Sequence, residues 1–292
     1  MWQSALSRYA RAGLVGFSGG ACVGLVGWGG AQFIIPGMTM MGHSQLAATG
    51  ISLCSLSLST VTGAAKFVAS DNACLATAAA MALPSVITAR IGTRMAARIP
   101  DQTLQLAFNG ASLLLIPTHF LVQRNAVKQA AALEADAATA CPATGDLAPT
   151  ACPTTAQRPV SLSAAELLSH GTFGCLSGVI SAVMGVGGLP LTMSYLTAFT
   201  SLPHHDIQGT AVLAVAPSAM TSAISRLHVV PKGTMIAVAT GAMAGAMVGA
   251  SVALRTSEAR LRELYMASLV VLGGRSFVSA GINLRNLRAA RR

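Results

Sequence analysis

Residues 13–30 read GLVGFSGGACVGLVGWGG and residues 171–188 read GTFGCLSGVISAVMGVGG. Gly13, Gly16, Gly20, Gly27, Gly29 and Gly30 thus recur at one constant offset as Gly171, Gly174, Gly178, Gly185, Gly187 and Gly188. Six coincidences at one spacing lie far beyond chance in a chain with 29 glycines among 292 residues. With a small gap, His43 and Thr49 fall on His204 and Thr210. A further shift pairs Gly92 with Gly249, Arg98 with Arg255, Leu104 with Leu261 and Phe108 with Tyr265. The chain is an internal duplication.

Composition fixes the environment of the duplicated unit. Hydrophobic residues make up 53% of the chain and charged residues 10%, against about 25% charged in an ordinary soluble domain. Mean hydropathy is +0.61, and the first acidic residue is Asp71. So little charge does not cover a soluble surface, and so much apolar content excludes general disorder. Six cysteines spread over this length exclude a disulfide scaffold. Long Ala/Gly/Leu/Val-rich runs without strand-type alternation exclude a membrane barrel. The expected fold is all-α: a polytopic helical membrane protein of two homologous repeats, with about 4–5 membrane segments in each.

Breakers divide the first repeat, 12–122, into segments near 12–28, 30–42, 45–66, 72–98 and 102–122. The second, 164–282, divides near 164–186, 188–200, 206–226, 232–254 and 262–282. A basic N-terminus, 1–11, precedes them; it suits the flank of a membrane helix and also resembles a very short organellar presequence. A polar Ala/Thr/Pro-rich linker, 123–163, separates the repeats, and a basic tail, 283–292, follows them. Cys141 and Cys152 sit in that linker, where an oxidising compartment would permit them to pair. An odd number of crossings per half inverts one repeat relative to the other, an architecture common in secondary transporters with the substrate site where the repeats meet. Segments 30–42 and 188–200 are short, enter through glycine clusters and occupy equivalent places, so they point to that site.

The formal charge of +10 does not indicate nucleic acid. The basic residues flank apolar runs, and aromatics are only 4% of the chain, too few for a base-stacking platform. Alternating crossings put Arg8, Arg11, Arg94, Arg98, Arg226 and Lys232 on one side with the tail, and Lys66, Arg124, Lys128, Arg158, Arg255, Arg260 and Arg262 on the other. The excess favours both termini inside. Lys66 and Arg226 end the third segment of their halves, where they either snorkel to the interface or draw anions into a vestibule. Arg90 and Arg275 fall inside apolar runs, where an ionisable group marks function. His43 and His204 suit a coupling proton, though predicted turns also give them capping or solvent-facing roles.

The repeated Gly27-Trp28-Gly29-Gly30 and Gly185-Val186-Gly187-Gly188 follow Gly-x-x-x-Gly spacings. They precede short apolar runs with Pro36 or Pro190, then Ala-Thr-Gly and Gly-Thr-Ala. This pattern resembles the sulfite exporter TauE/SafE-like family over both halves. The resemblance implies a multi-pass permease of small anions, with sulfite and organosulfonates as the family's substrates, working by alternating access in a cell membrane or an organellar one. Helix N-termini after Gly30 and Gly188 would attract an anion through unpaired N–H groups and the macrodipole. The expected binding set is Gly27, Gly29, Gly30, Gly185, Gly187 and Gly188, with Thr49, Ser52 and Thr210 as hydroxyl donors and Lys66 and Arg226 raising the local anion concentration. The alternative role of these hydroxyls is to bond back to their own helix carbonyls. An anion channel of the same architecture is the alternative. A third reading, an intramembrane protease using Ser18 and His119, rests on Gly16-Phe17-Ser18-Gly19 and weakens because the second half moves its serine to Ser177. No cofactor and no metal site is expected, and the expected partners are the anion and the bilayer.

Overall fold

The computed structural model describes residues 2–111, 163–200 and 202–261, with 263–265, 267, 268 and 274 beyond them. The expected linker, the tail, His119, Arg275, Cys141 and Cys152 lie outside the described residues. Four helices form the first half: α1 (Trp2–Val26), α2 (Ala31–Met40), α3 (Gln45–Ala69) and α4 (Leu75–Ala96). Four matching helices form the second: α5 (Ala164–Met184), α6 (Leu189–Phe199), α7 (His204–Arg226) and α8 (Lys232–Arg255). Residues 101–111 and 258–261 open a further helix in each half. The described residues contain no strand.

Helix limits follow local chemistry. Neither glycine nor proline occurs before Gly13, so α1 runs back to Trp2 and absorbs the basic stretch 1–11 into its first turns. Ser44 caps α3 by accepting from the Ala47 N–H, and Asp101 accepts from the Gln45 and Leu46 N–H groups at the same end. Ser163 and Glu166 form a capping box that starts α5. α1 and α5 stop at Gly27 (φ 69°) and Gly185 (φ 73°), left-handed positions that a side chain would strain.

Six of these helices, α1, α3, α4, α5, α7 and α8, are long and apolar enough to cross a membrane. Their outward faces carry exposed large apolar side chains such as Leu14, Leu83, Ile87 and Val248, the surface a bilayer covers. α2 and α6 have 10 and 11 residues, about 15 Å at 1.5 Å per residue, half the hydrocarbon thickness.

The packing follows the duplication. α1 lies on α8, and α5 lies on α4, in the two most extensive helix contacts. Gly16 meets Val238 and Gly20 meets Ala242; correspondingly, Gly174 meets Met81 and Gly178 meets Ser85. Both pairings advance in step, so α1 runs parallel to α8 and α5 parallel to α4. The equivalent helices α3 and α7 run antiparallel, because Thr49 faces Arg226 while Phe67 and Asn72 face Gly209. Consequently α1, α3 and α8 point one way and α4, α5 and α7 the other. Each short helix folds back along its predecessor: Gly30 touches Gly19 and Gly37 touches Val15, while Thr192 meets Ser177 and Tyr195 meets His170. The end at which α1, α3 and α8 begin carries Arg8, Arg11, Arg94, Arg98 and Lys232. Lys66, Arg255 and Arg260 lie at the other, so the described basic residues divide as the segment count expects.

Close approach of α1 and α8 needs small residues on both helices. A Cβ at Gly20 would overlap the Ala242 carbonyl, whereas one at Gly13 would sit in ordinary contact, 3.5 Å from the Ala237 oxygen. Gly20→Ala is expected to lower stability by about 1–3 kcal/mol, the usual cost of overpacking. Gly13→Ala is expected to be neutral or slightly stabilising. Thermal unfolding of the two purified variants in one detergent checks the contrast, and equal melting temperatures would contradict this packing.

Candidate functional site

The two glycine breaks meet at the centre of the protein. A Cβ at Gly29 would lie 3.1 Å from the Val186 carbonyl oxygen and 3.7 Å from Leu189, and Gly187 rests on Leu56, near the middle of α3. Gly27, Gly29, Gly30, Gly185, Gly187 and Gly188 are all buried. α2 and α6 therefore begin inside the protein, with their first N–H groups away from its surface.

α7 serves both breaks. Near its start, Gln208 donates from Nε2 to the Gly24 carbonyl at 2.8 Å, three residues before Gly27. At its end, Arg226 donates to the Ala182 carbonyl, three residues before Gly185. The constant offset of the duplication makes Gly24 and Ala182 equivalent, so one helix ties down equivalent carbonyls at opposite depths. From α3, Ser52 donates to the Gly185 carbonyl at 3.0 Å, and Thr49 accepts from Arg226 at 2.5 Å.

Arg226 is the unusual group in this arrangement. The residue is 3% exposed, so its side chain turns inward instead of snorkelling to the interface. Two of its nitrogens meet neutral oxygens, on Thr49 and Ala182, and Nε has no partner among the described residues. Ser222, one turn earlier on α7, and Ser181, beside Ala182, also have buried hydroxyls without partners. A buried guanidinium held only by neutral acceptors costs several kcal/mol unless an anion joins it. The crevice beside Ser181, Val186, Gly188 and Pro190 has a free volume of about 10 Å³, space for one water at most.

The expected residues divide into groups. Arg226, Thr49, Ser52 and Gly185 come together in one cluster, and Gly29, Gly187 and Gly188 lie at the central crossing beside it. Gly27 packs on Gln208 and Met193 at the opposite depth. Thr210 accepts from the Cys74 N–H at 2.8 Å, near the starts of α4 and α7. Lys66 donates to Ser251 at the far end of α3. Because α3 and α7 are antiparallel, Lys66 and Arg226 occupy opposite ends and do not share a vestibule. Thr49 spends its own proton on Leu46, and Ser52 spends its proton on Gly185, so neither hydroxyl is free to donate to a ligand.

The remaining sequence candidates lie elsewhere. His43 is half-buried in the turn before α3, whereas His204 is buried and packs edge-on against Tyr265. Arg90 is exposed on α4. Ser18 is exposed on α1 and donates to the Val15 carbonyl, which gives it the geometry of a back-bonded helix serine rather than of a nucleophile in a pocket. Sequence reasoning missed Gln208, Ser181 and Ser222. The signal for Gln208 was its amide within an Ala/Val-rich run. Isolated serines in Ala-rich helices give no such signal.

A family model for the sulfite exporter TauE/SafE matches residues 12–276. No curated protein and no solved structure gives a significant match. The match covers both halves, and its members are membrane transporters rather than enzymes. With six apolar helices long enough to span, the chain is an integral multi-pass membrane protein that belongs to the sulfite exporter TauE/SafE family.

Proposed function

We propose that this protein moves a small oxyanion of the sulfite or sulfonate type through its centre, with Arg226 as the charge that binds it. The observation that carries this reading is the buried guanidinium with neutral partners and an unpartnered Nε. An anion there supplies the missing counter-charge and accepts from Nε, Ser181 and Ser222. The buried N-terminus of α6 adds a positive dipole end from the same side of the break. Gly188, which faces Ser177 and Ser181, puts no side chain of its own between that backbone and the ligand.

The two halves act as inverted repeats that rock about the central crossing and expose the site to each side in turn. The antiparallel pairing of α3 with α7 supports the inversion, since a two-fold axis in the membrane plane reverses equivalent helices. The closed crevice at the break and the larger cavity on one face, about 470 Å³, suit an occluded site with access from a single side.

Removing the charge is expected to cost transport as much as one charge-assisted hydrogen bond, about ten- to a hundredfold. Arg226→Gln in proteoliposomes is expected to lose uptake of sulfite and methanesulfonate by that factor. Sulfite is also expected to raise the melting temperature of the unaltered protein but not of the variant, which separates lost binding from misfolding. Full uptake with an intact ligand-induced shift in Arg226→Gln would sink the assignment. The inverted arrangement has its own test in single cysteines placed in a cysteine-free background. Cysteines at Gly42 and His228 are expected to react with an impermeant reagent from one side, and those at Asn72 and Leu202 from the other. Labelling of Gly42 and His228 from opposite sides would rule out the inversion.

A further inference from the structure

The larger cavity contains titratable chemistry that the anion site does not use. It opens at the end where α4, α5 and α7 begin, and its lining includes Cys74, Thr77, Glu166, Ser169, His170 and Tyr195. His170 is 4% exposed, and its Nδ1 lies 3.0 Å from the Tyr195 hydroxyl. Tyr195 in turn donates to Ser169 at 3.2 Å. The tyrosine ring is clamped between Phe173, stacked at 4.1 Å, and Phe199, tilted at 5.0 Å, which fixes the hydroxyl between its two partners.

We propose that His170, hydrogen-bonded to Tyr195 at the floor of this cavity, binds the proton that couples transport to a pH gradient. The proposal rests on the permease reading above and supplies its coupling ion. The hydrogen-bond chain stays satisfied in both protonation states. When Nδ1 of the neutral ring carries no proton, it accepts from Tyr195. In the imidazolium, Nδ1 donates to the tyrosine oxygen and the tyrosine proton turns to Ser169. One N–H bond forms with a proton taken from cavity water, and its release returns that proton to water.

The surroundings favour a proton over an anion here. Glu166, one turn before His170, is held by the Ser163 N–H at 2.9 Å and offsets a charged ring. The start of α4 brings Cys74 and Thr77, the end of α6 brings Tyr195 and Thr200, the segment before α7 brings the apolar Leu202, and no Lys or Arg is among the described residues that line the cavity. The duplication offset puts Ala12 opposite His170 and Gly37 opposite Tyr195. The first half therefore lacks this pair, and shared repeat packing does not account for it. Tyr195 sits on α6, whose first residue follows Gly188, so a change at His170 bears on the helix that carries the second break.

The test uses proteoliposomes and methanesulfonate, which keeps its charge across the pH range. His170→Gln is expected to lose accumulation driven by an imposed pH gradient while retaining tracer exchange at equal concentrations. Tyr195→Phe, which keeps the ring stack, is expected to shift the pH dependence of transport. Gradient-driven accumulation in His170→Gln at the level of the unaltered protein would overturn the proposal. If the unaltered protein itself moves no anion, the permease reading fails, and histidine-ring NMR in detergent decides the proton site separately. The resonance missing from His170→Gln is expected to titrate within the pH range in which the protein stays folded and to move in Tyr195→Phe. A ring with no titration between about pH 4 and 9 would refute it.

Discussion

A helix that stops inside a membrane protein leaves carbonyl and amide groups with no water to receive them, and each unsatisfied group costs several kcal/mol. This chain stops two helices that way, and much of its structure answers the requirement. Gln208 takes the Gly24 carbonyl, Arg226 the Ala182 carbonyl and Ser52 the Gly185 carbonyl. Two of those three side chains belong to α7, which explains why this helix is among the most buried of the spans. A neutral side chain suffices at the first break, whereas the second receives a cation that meets only neutral oxygens among the described residues.

The duplication gives both halves the same scaffold, and divergence gives them different work. Gly92 packs on Val179 exactly where its counterpart Gly249 packs on Ala21, so the backbone frame has been kept. The polar groups placed on that frame have not. The first break is held by an amide and the second by a guanidinium with Ser181 and Ser222 near it, while the His170–Tyr195 pair stands at the other end of α5.

Much of the fold was legible in the sequence because lipid restricts the choices. The glycine offset identified the duplication, and the lengths of 30–42 and 188–200 marked the short helices to within a few residues of α2 and α6. The site was legible only where backbone dictated it, at the glycines. Which side chains face those glycines depends on how α3 and α7 cross, and periodicity does not carry that information. The sequence alone accordingly suits Arg226 both to an interface anchor and to a vestibule shared with Lys66, whereas burial turns it inward and antiparallel packing sends Lys66 to the other end. His170 went unremarked because a histidine near a helix start gives no sign of the tyrosine that another helix brings to it.

The central claim is that Arg226 holds the transported anion beside the second break. A crystal structure with selenite, an isostere of sulfite with an anomalous signal, tests it most directly. The account expects an anomalous peak within hydrogen-bonding distance of Arg226 Nε and next to Ser181. A peak in the cavity lined by His170 and Tyr195, with none at Arg226, would contradict it.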